Sequence, residues 1–182
     1  MSASSFACAT PAQRRYMLVD NGVGPFVINL LINGVIAWLL FRNATHVPLW
    51  GQSSIAGDTI ATSFLLPLIT CLIVTPLARG RVRGGHLAQL TPEAAPGWIP
   101  RNTVLRSVAI GIVCLILFTP LTLLALQMLG VGTMRPWHFV YFKGMFAAVE
   151  GALVTPFLAL WAISDLPSPG LAPLAQPAQR SG

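Results

Sequence analysis

Charge is what this sequence has least of. Only 9% of its 182 residues are charged, against about 25% in an ordinary soluble domain. One lysine and five acids are all that accompany ten arginines. A surface so poor in charge excludes a conventional soluble globular domain, because water could not wet it. Cysteine is scarce too. Cys8, Cys71 and Cys114 form no CxxC pair, which excludes a disulfide scaffold and a thiolate zinc site, and the last two fall in apolar runs where they read as small fillers. The three histidines, His46, His86 and His138, all lie outside those runs, so a haem held between two histidines inside a membrane is excluded. His46 and His138 read as interface residues, with no third ligand to make a metal site. There is no glycine-rich phosphate loop, no HExxH, no GxSxG and no pair of catalytic carboxylates. The chain therefore reads as a non-enzyme with no metal and no cofactor.

What is abundant is apolar surface. Hydrophobic residues make up 54% of the chain, and the mean hydropathy is +0.71. They gather in four runs, 22–41, 58–78, 104–129 and 139–163. Each meets the requirement of about 20 residues for crossing a hydrocarbon layer about 30 Å thick. The expected fold is all-α, a polytopic membrane protein of four transmembrane helices. Its organisation would be a leader over 1–21, a four-helix domain over 22–165 and a disordered tail over 166–182, where repeated Pro and Ala prevent a packed helix. The Arg14-Arg15 pair before the first run resembles a signal peptide, but the run is too long and lacks a small-residue cleavage site, so an uncleaved span is expected.

The net charge of +6 is explained by topology and not by nucleic acid. Arg14, Arg15, Arg79, Arg81, Arg83, Arg101, Arg106 and Arg180 flank the spans on one side, whereas Arg42, Arg135 and Lys143 flank them on the other. The positive-inside rule assigns the first group, and both termini, to the cytoplasm of a cell whose inner membrane holds the protein. Trp38, Trp50 and Trp137 would mark the outer interface, and Trp98 and Trp161 the inner one. The run Arg79-Gly80-Arg81-Val82-Arg83-Gly84-Gly85 reads as a flexible basic exit from the second span, with Arg79, Arg81 and Arg83 as contacts for anionic lipid head groups. Thr91-Pro92-Glu93 carries a helix-start signal in the cytoplasmic loop.

Within the spans, Val74-Thr75-Pro76 returns as Val154-Thr155-Pro156 at an equivalent depth. This allows an arrangement of two helical hairpins in parallel orientation. Prolines at 67, 76, 120 and 156 remove backbone donors and invite kinks.

Glu150 is the foremost candidate functional residue, since it lies near the middle of the fourth span, where an ionisable group is costly. It must be neutral or paired. Asn29 and Asn33, spaced i, i+4 on the first span, and Thr70 on the second are its expected neighbours, the four forming an intramembrane polar cluster. Lys143, seven residues above Glu150, is expected to snorkel to the outer surface. Asp58 is expected to cap the second span, with Thr59, Thr62 and Ser63 bonded back to their own helix. Gly144, Ala148, Gly151, Ala152 and Thr155 form a small-residue face for close packing against a helix of the same chain or of a second copy.

Two functions fit these features. One is a non-catalytic scaffold, assembly or sensing component, working with the bilayer and as a homodimer or part of a larger complex. The other is a small proton- or cation-coupled transporter or channel, a homo-oligomer built around Glu150. The absence of a second charged group deep in the spans favours the first.

Overall fold

In the computed structural model, residues 15–85, 100 and 102–164 are described. The leader before residue 15, the Thr91-Pro92-Glu93 helix start, Trp98 and the tail over 166–182 lie outside them. Four helices dominate: α1 over Gly24–Phe41, α2 over Ile55–Arg83, α3 over Thr103–Met128 and α4 over Pro136–Ser164. All four are long and apolar enough to cross a membrane, the first reaching back to Leu18. The chain is a multi-pass, all-α membrane protein.

Several helix ends have a local reason. Ser54 Oγ accepts the Gly57 N–H at 3.1 Å and caps α2, and the Asn102 carboxamide accepts the N–H groups of Val104 and Leu105 at 2.9 and 3.3 Å to cap α3. These side chains satisfy donors that the first turn of a helix leaves free. At the other end of α2, Gly85 adopts φ +72° and its N–H closes on the Val82 carbonyl at 3.0 Å. Gly130, φ +70°, does the same after α3. Ahead of α1 the chain forms a π-helical turn, Tyr16–Val23. There Asn21 Nδ2 donates to the Tyr16 carbonyl at 2.8 Å, and Pro25, in the first turn of α1, supplies no N–H to carry the regular ladder backwards.

Two of the sequence expectations need correction here. The second span is longer than 58–78: its 29 residues span about 44 Å at 1.5 Å per residue, so Arg81 and Arg83 belong to the helix and not to a flexible exit. Its cap is Ser54, not Asp58, because Asp58 is already inside the first turn.

Helix α4 is the centre of the packing, touching α1, α2 and the π-helical turn, while α3 rests mainly on α2. The row is therefore α1, α4, α2, α3. Exchanging the first hairpin with the second maps the α1–α4 contact onto the α3–α2 contact. It also maps β1, Val47–Pro48, onto β2, Thr133–Met134, two short segments that pair antiparallel with Val47 opposite Met134. Thr75 and Thr155, the centres of the repeated tripeptides, are both buried.

Glycines permit the two outer contacts. A Cβ on Gly144 would lie 3.1 Å from the Leu30 carbonyl oxygen, and one on Gly111 would lie 3.0 Å from that of Phe64. Phe64 and Gly144 stand 80 residues apart, as do Thr75 and Thr155. The two close approaches thus occupy matching levels, with the small residue on opposite partners.

One apolar core lies at the β-ladder end, around Phe41, Ile55, Leu126 and Phe139, with the Phe41 and Phe139 rings edge to face at 4.7 Å. A second lies at the Arg-rich end, around Tyr16, Ala78, Leu160 and Ile163. Along α4, Glu150 lies between them, with Phe139 in the first core and Leu160 in the second.

Candidate proton site within the bundle

Lys143 and Glu150 are seven residues apart on α4, two turns and about 10 Å along one face. Both are buried. The surroundings of the two differ in kind.

Lys143 does not snorkel. Its ammonium forms a direct ion pair with the carboxylate of Asp58 on α2, and the two side chains are only 7% and 13% exposed. Adjacency of α2 and α4 makes this possible, by placing the first turn of one beside the second turn of the other. Asp58 also lies where the positive end of the α2 dipole favours an anion. Around it the hydroxyls behave as expected in part: Thr59 Oγ1 donates to the Ile55 carbonyl at 2.8 Å, but the buried Ser63 hydroxyl has no partner among the described residues.

Glu150 is fully buried, and neither of its carboxyl oxygens has a hydrogen-bond partner among the described residues. The expected polar cluster is not joined by hydrogen bonds. Asn33 Nδ2 donates instead to the Asn29 carbonyl on its own helix, at 3.1 Å. Asn29 does reach α4, since a Cβ on Gly151 would fall 2.2 Å from its Nδ2, so its amide lies against the residue next to Glu150. Thr70 is half-buried. Cys114 of α3 is within electrostatic reach of Glu150, a neighbour that sequence reasoning treated only as filler.

The small-residue face has a partner in the same chain. Gly144 meets Leu30 and Gly34, and Gly151 meets Asn29, all on α1. Ala148 and Thr155 are buried beside them, and Ala152 is half-buried. Thr155 Oγ1 donates to the Gly151 carbonyl at 2.6 Å, one residue before the carbonyl that Pro156 leaves without a donor.

Comparison with family models, with curated proteins and with solved structures returned no match. The geometry must carry the functional argument alone.

The arginines proposed as lipid contacts are held within the protein to different degrees. Arg81 pairs with Asp20 at 2.8 Å and lies 4.9 Å above the Tyr16 ring, fastening the π-helical turn to α2. Arg79 Nη1 donates to Thr103 Oγ1 at 3.4 Å and links α2 to α3. Arg83 is exposed.

Sequence reasoning placed Arg106 only as a flanking charge. It is 1% exposed, with Nε donating to the Pro100 carbonyl at 3.1 Å. Its position one turn inside α3 was the available signal. His46 and His138 are both exposed, and no three His, Cys, Asp or Glu side chains gather among the described residues.

Along α4, among the described residues, Lys143 is neutralised by Asp58 and Glu150 has a carboxyl without a hydrogen-bond partner. An ion pair surrounded by protein can hold its charges. A lone carboxyl in the same surroundings has no counter-charge, and holding a charge there requires a cation or water to arrive.

Proposed function

We propose that this chain is a small proton-coupled transport protein in which Glu150 takes up and releases the coupling proton. The observation that carries the reading is the complete burial of Glu150 with both carboxyl oxygens unpartnered among the described residues. A glutamate kept only to fasten helices would spend its oxygens on interhelical hydrogen bonds, and Asn29, Asn33 and Thr70 are close enough in level to offer them. A residue whose task is to change protonation needs no permanent donor, which would hold it in one state. A scarcity of charge in the spans no longer weighs against transport, since Asp58 and Lys143 form an ion pair inside the bundle.

The orientation belongs to the same proposal. The arginine asymmetry favours the Arg-rich end facing the cytoplasm of a bacterial inner membrane, with the β ladder outside.

The test is proton flux in proteoliposomes carrying wild type or Glu150→Gln. Flux in wild type, abolished in a folded Glu150→Gln, is expected. Equal flux in the two would remove Glu150 from the mechanism.

The Asp58–Lys143 pair favours a second reading, a non-catalytic scaffold whose polar interior fixes one packing of the helices. Under that reading Glu150→Gln keeps every cellular role.

A further inference from the structure

Pro67 lies inside α2 and has no N–H to give the Ser63 carbonyl one turn earlier. Ser63 and Pro67 are both fully buried. The Ser63 hydroxyl has an acceptor at the usual helical spacing, the Thr59 carbonyl, and its neighbours use such acceptors: Thr59 donates to Ile55 at 2.8 Å and Thr155 to Gly151 at 2.6 Å. Ser63 does not, and its hydroxyl has no other partner among the described residues. This turn of α2 therefore presents two oxygens, one carbonyl and one hydroxyl, that the regular helix does not engage.

Glu150 stands level with this turn. The Asp58–Lys143 pair fixes how α2 and α4 lie side by side, and both helices run from there to the core that Ala78 shares with Ala159 and Ile163. Counted from the ion pair, Glu150 is level with residue 65 of α2; counted from Ala78, it is level with residues 65–69. Lys143, two turns earlier on the same face of α4, shows that this face meets α2, since Gly144 and Gly151 turn toward α1. Helical side chains lean toward the N-terminus, which carries the Glu150 carboxyl back toward Ser63. Helix α3 gives an independent fix. A Cβ on Gly111 would lie 3.0 Å from the Phe64 carbonyl oxygen, and Cys114, one turn on, is within electrostatic reach of Glu150.

We propose that Glu150 and the Ser63–Pro67 turn form a binding site for an alkali cation, held by the Glu150 carboxylate, the Ser63 hydroxyl and the Ser63 carbonyl. All three ligands are oxygens, the donors a hard cation takes, and the single negative charge suits a monovalent ion. Asp58, which could have supplied a second charge, is neutralised by Lys143. The site rests on the reading of Glu150 as the group that changes protonation, and it names the solute exchanged for the proton. In one state the carboxylic acid donates its O–H to the Ser63 carbonyl. In the other the proton has left, and carboxylate and carbonyl share the cation, so one positive charge replaces another. The titratable groups around the site, among the described residues, are Cys114 of α3, the paired Lys143 and Asp58 about 10 Å toward the β ladder, and Cys71 of α2, which contacts Thr75 and lies toward Arg79 and Arg106. Helix α1 carries none over Gly24–Phe41.

The experiment places the full chain in proteoliposomes with a pH indicator inside and adds sodium, potassium or choline chloride outside. Sodium or potassium is expected to drive protons out of the lumen, and choline is not. Glu150→Gln should abolish the response. Ser63→Ala removes one ligand and should raise the cation concentration for half-maximal exchange about tenfold, the worth of one contact to a charge. Its hydroxyl has no partner among the described residues, so the fold should not depend on it. Pro67→Ala provides a second variant: it restores the N–H that would engage the Ser63 carbonyl, and it should weaken the cation response to a similar degree. Proton flux at the same rate in all three salts would overturn the cation site while leaving Glu150 as a proton carrier. Cation-driven exchange unchanged in both Ser63→Ala and Pro67→Ala would also overturn it, by placing the ion elsewhere. Absence of any proton movement in folded wild type would instead overturn the proton coupling on which the site depends.

Discussion

Lys143 of α4 and Asp58 of α2 are 85 positions apart in sequence, yet their side chains form a direct ion pair inside the bundle. The pair ties the second turn of the central helix to the first turn of its neighbour. Removing one partner strands the other, whereas removing both leaves no uncompensated charge. Lys143→Met alone is expected to cost about 3 kcal/mol, and the double variant Asp58→Asn, Lys143→Met clearly less. Unfolding in detergent, read as a double-mutant cycle, measures the coupling. Additive effects of the two single changes would show that the pair contributes nothing to holding α2 against α4.

Gly144 and Gly111 each face a backbone carbonyl of the neighbouring helix, which cannot swing away. Gly144→Leu and Gly111→Leu are each expected to cost about 1–3 kcal/mol by forcing helices apart. Gly151 differs. The atom in its way is the end of the Asn29 side chain, so the loss caused by Gly151→Ala should be recovered by adding Asn29→Ala. Thermal unfolding of the three glycine variants and the double variant tests this contrast, and failure of Asn29→Ala to restore Gly151→Ala would contradict it.

The β ladder offers a check on how the hairpins meet. Val47 and Met134 are register partners, and antiparallel partners have Cα atoms about 4.5–5.5 Å apart, inside the range a disulfide spans. Val47→Cys with Met134→Cys should therefore cross-link within one chain on mild oxidation. The pair Val47→Cys with Gly132→Cys, out of register, should react more slowly. Reporter fusions near residues 48 and 133 should fall on one side of the membrane and a fusion near residue 85 on the other. Cross-linking only between chains would assign the ladder to a dimer.

Four spans could be read from composition because lipid imposes a length, and apolar runs of that length are rare outside membranes. Their ends were less legible. Asp58 looked like a cap because it is the first acid before an apolar run, but Ser54 had already started the helix. Arg81 and Arg83 looked like a loop because charge ends hydrophobicity without ending a helix. The Lys143–Asp58 pair was hidden for a different reason: depth can be counted along a sequence, whereas lateral neighbours cannot. A four-span chain suggests sequential hairpin partners, and this bundle instead packs α1 on α4 and α2 on both α3 and α4. Glu150 was legible as costly; that it would have no hydrogen-bond partner was not, because Asn29 and Asn33 share its level, yet the Asn33 amide donates to its own helix and the Asn29 amide packs against Gly151. Burial of Arg106 depended equally on which flank of α3 met α2.

The clearest separation of structure from chemistry at Glu150 comes from an apolar replacement. If the carboxyl fastened helices, Glu150→Leu would lose its hydrogen bonds and the bundle would weaken. With both oxygens unpartnered among the described residues, the opposite sign is expected: Leu removes polar atoms from apolar surroundings and should raise stability by about 1–2 kcal/mol. Glu150→Gln should do less well, since its amide brings two donors and an acceptor to a place that satisfies none of them. Glu150→Asp keeps an exchangeable proton on a shorter arm. The predicted order of thermal stability in detergent is therefore Leu above wild type and wild type near or above Gln, while proton flux should persist only in wild type and, reduced, in Asp. A Glu150→Leu variant less stable than wild type would mean that the carboxyl is bonded in the membrane, and the proton-carrying role would lose the observation on which it rests.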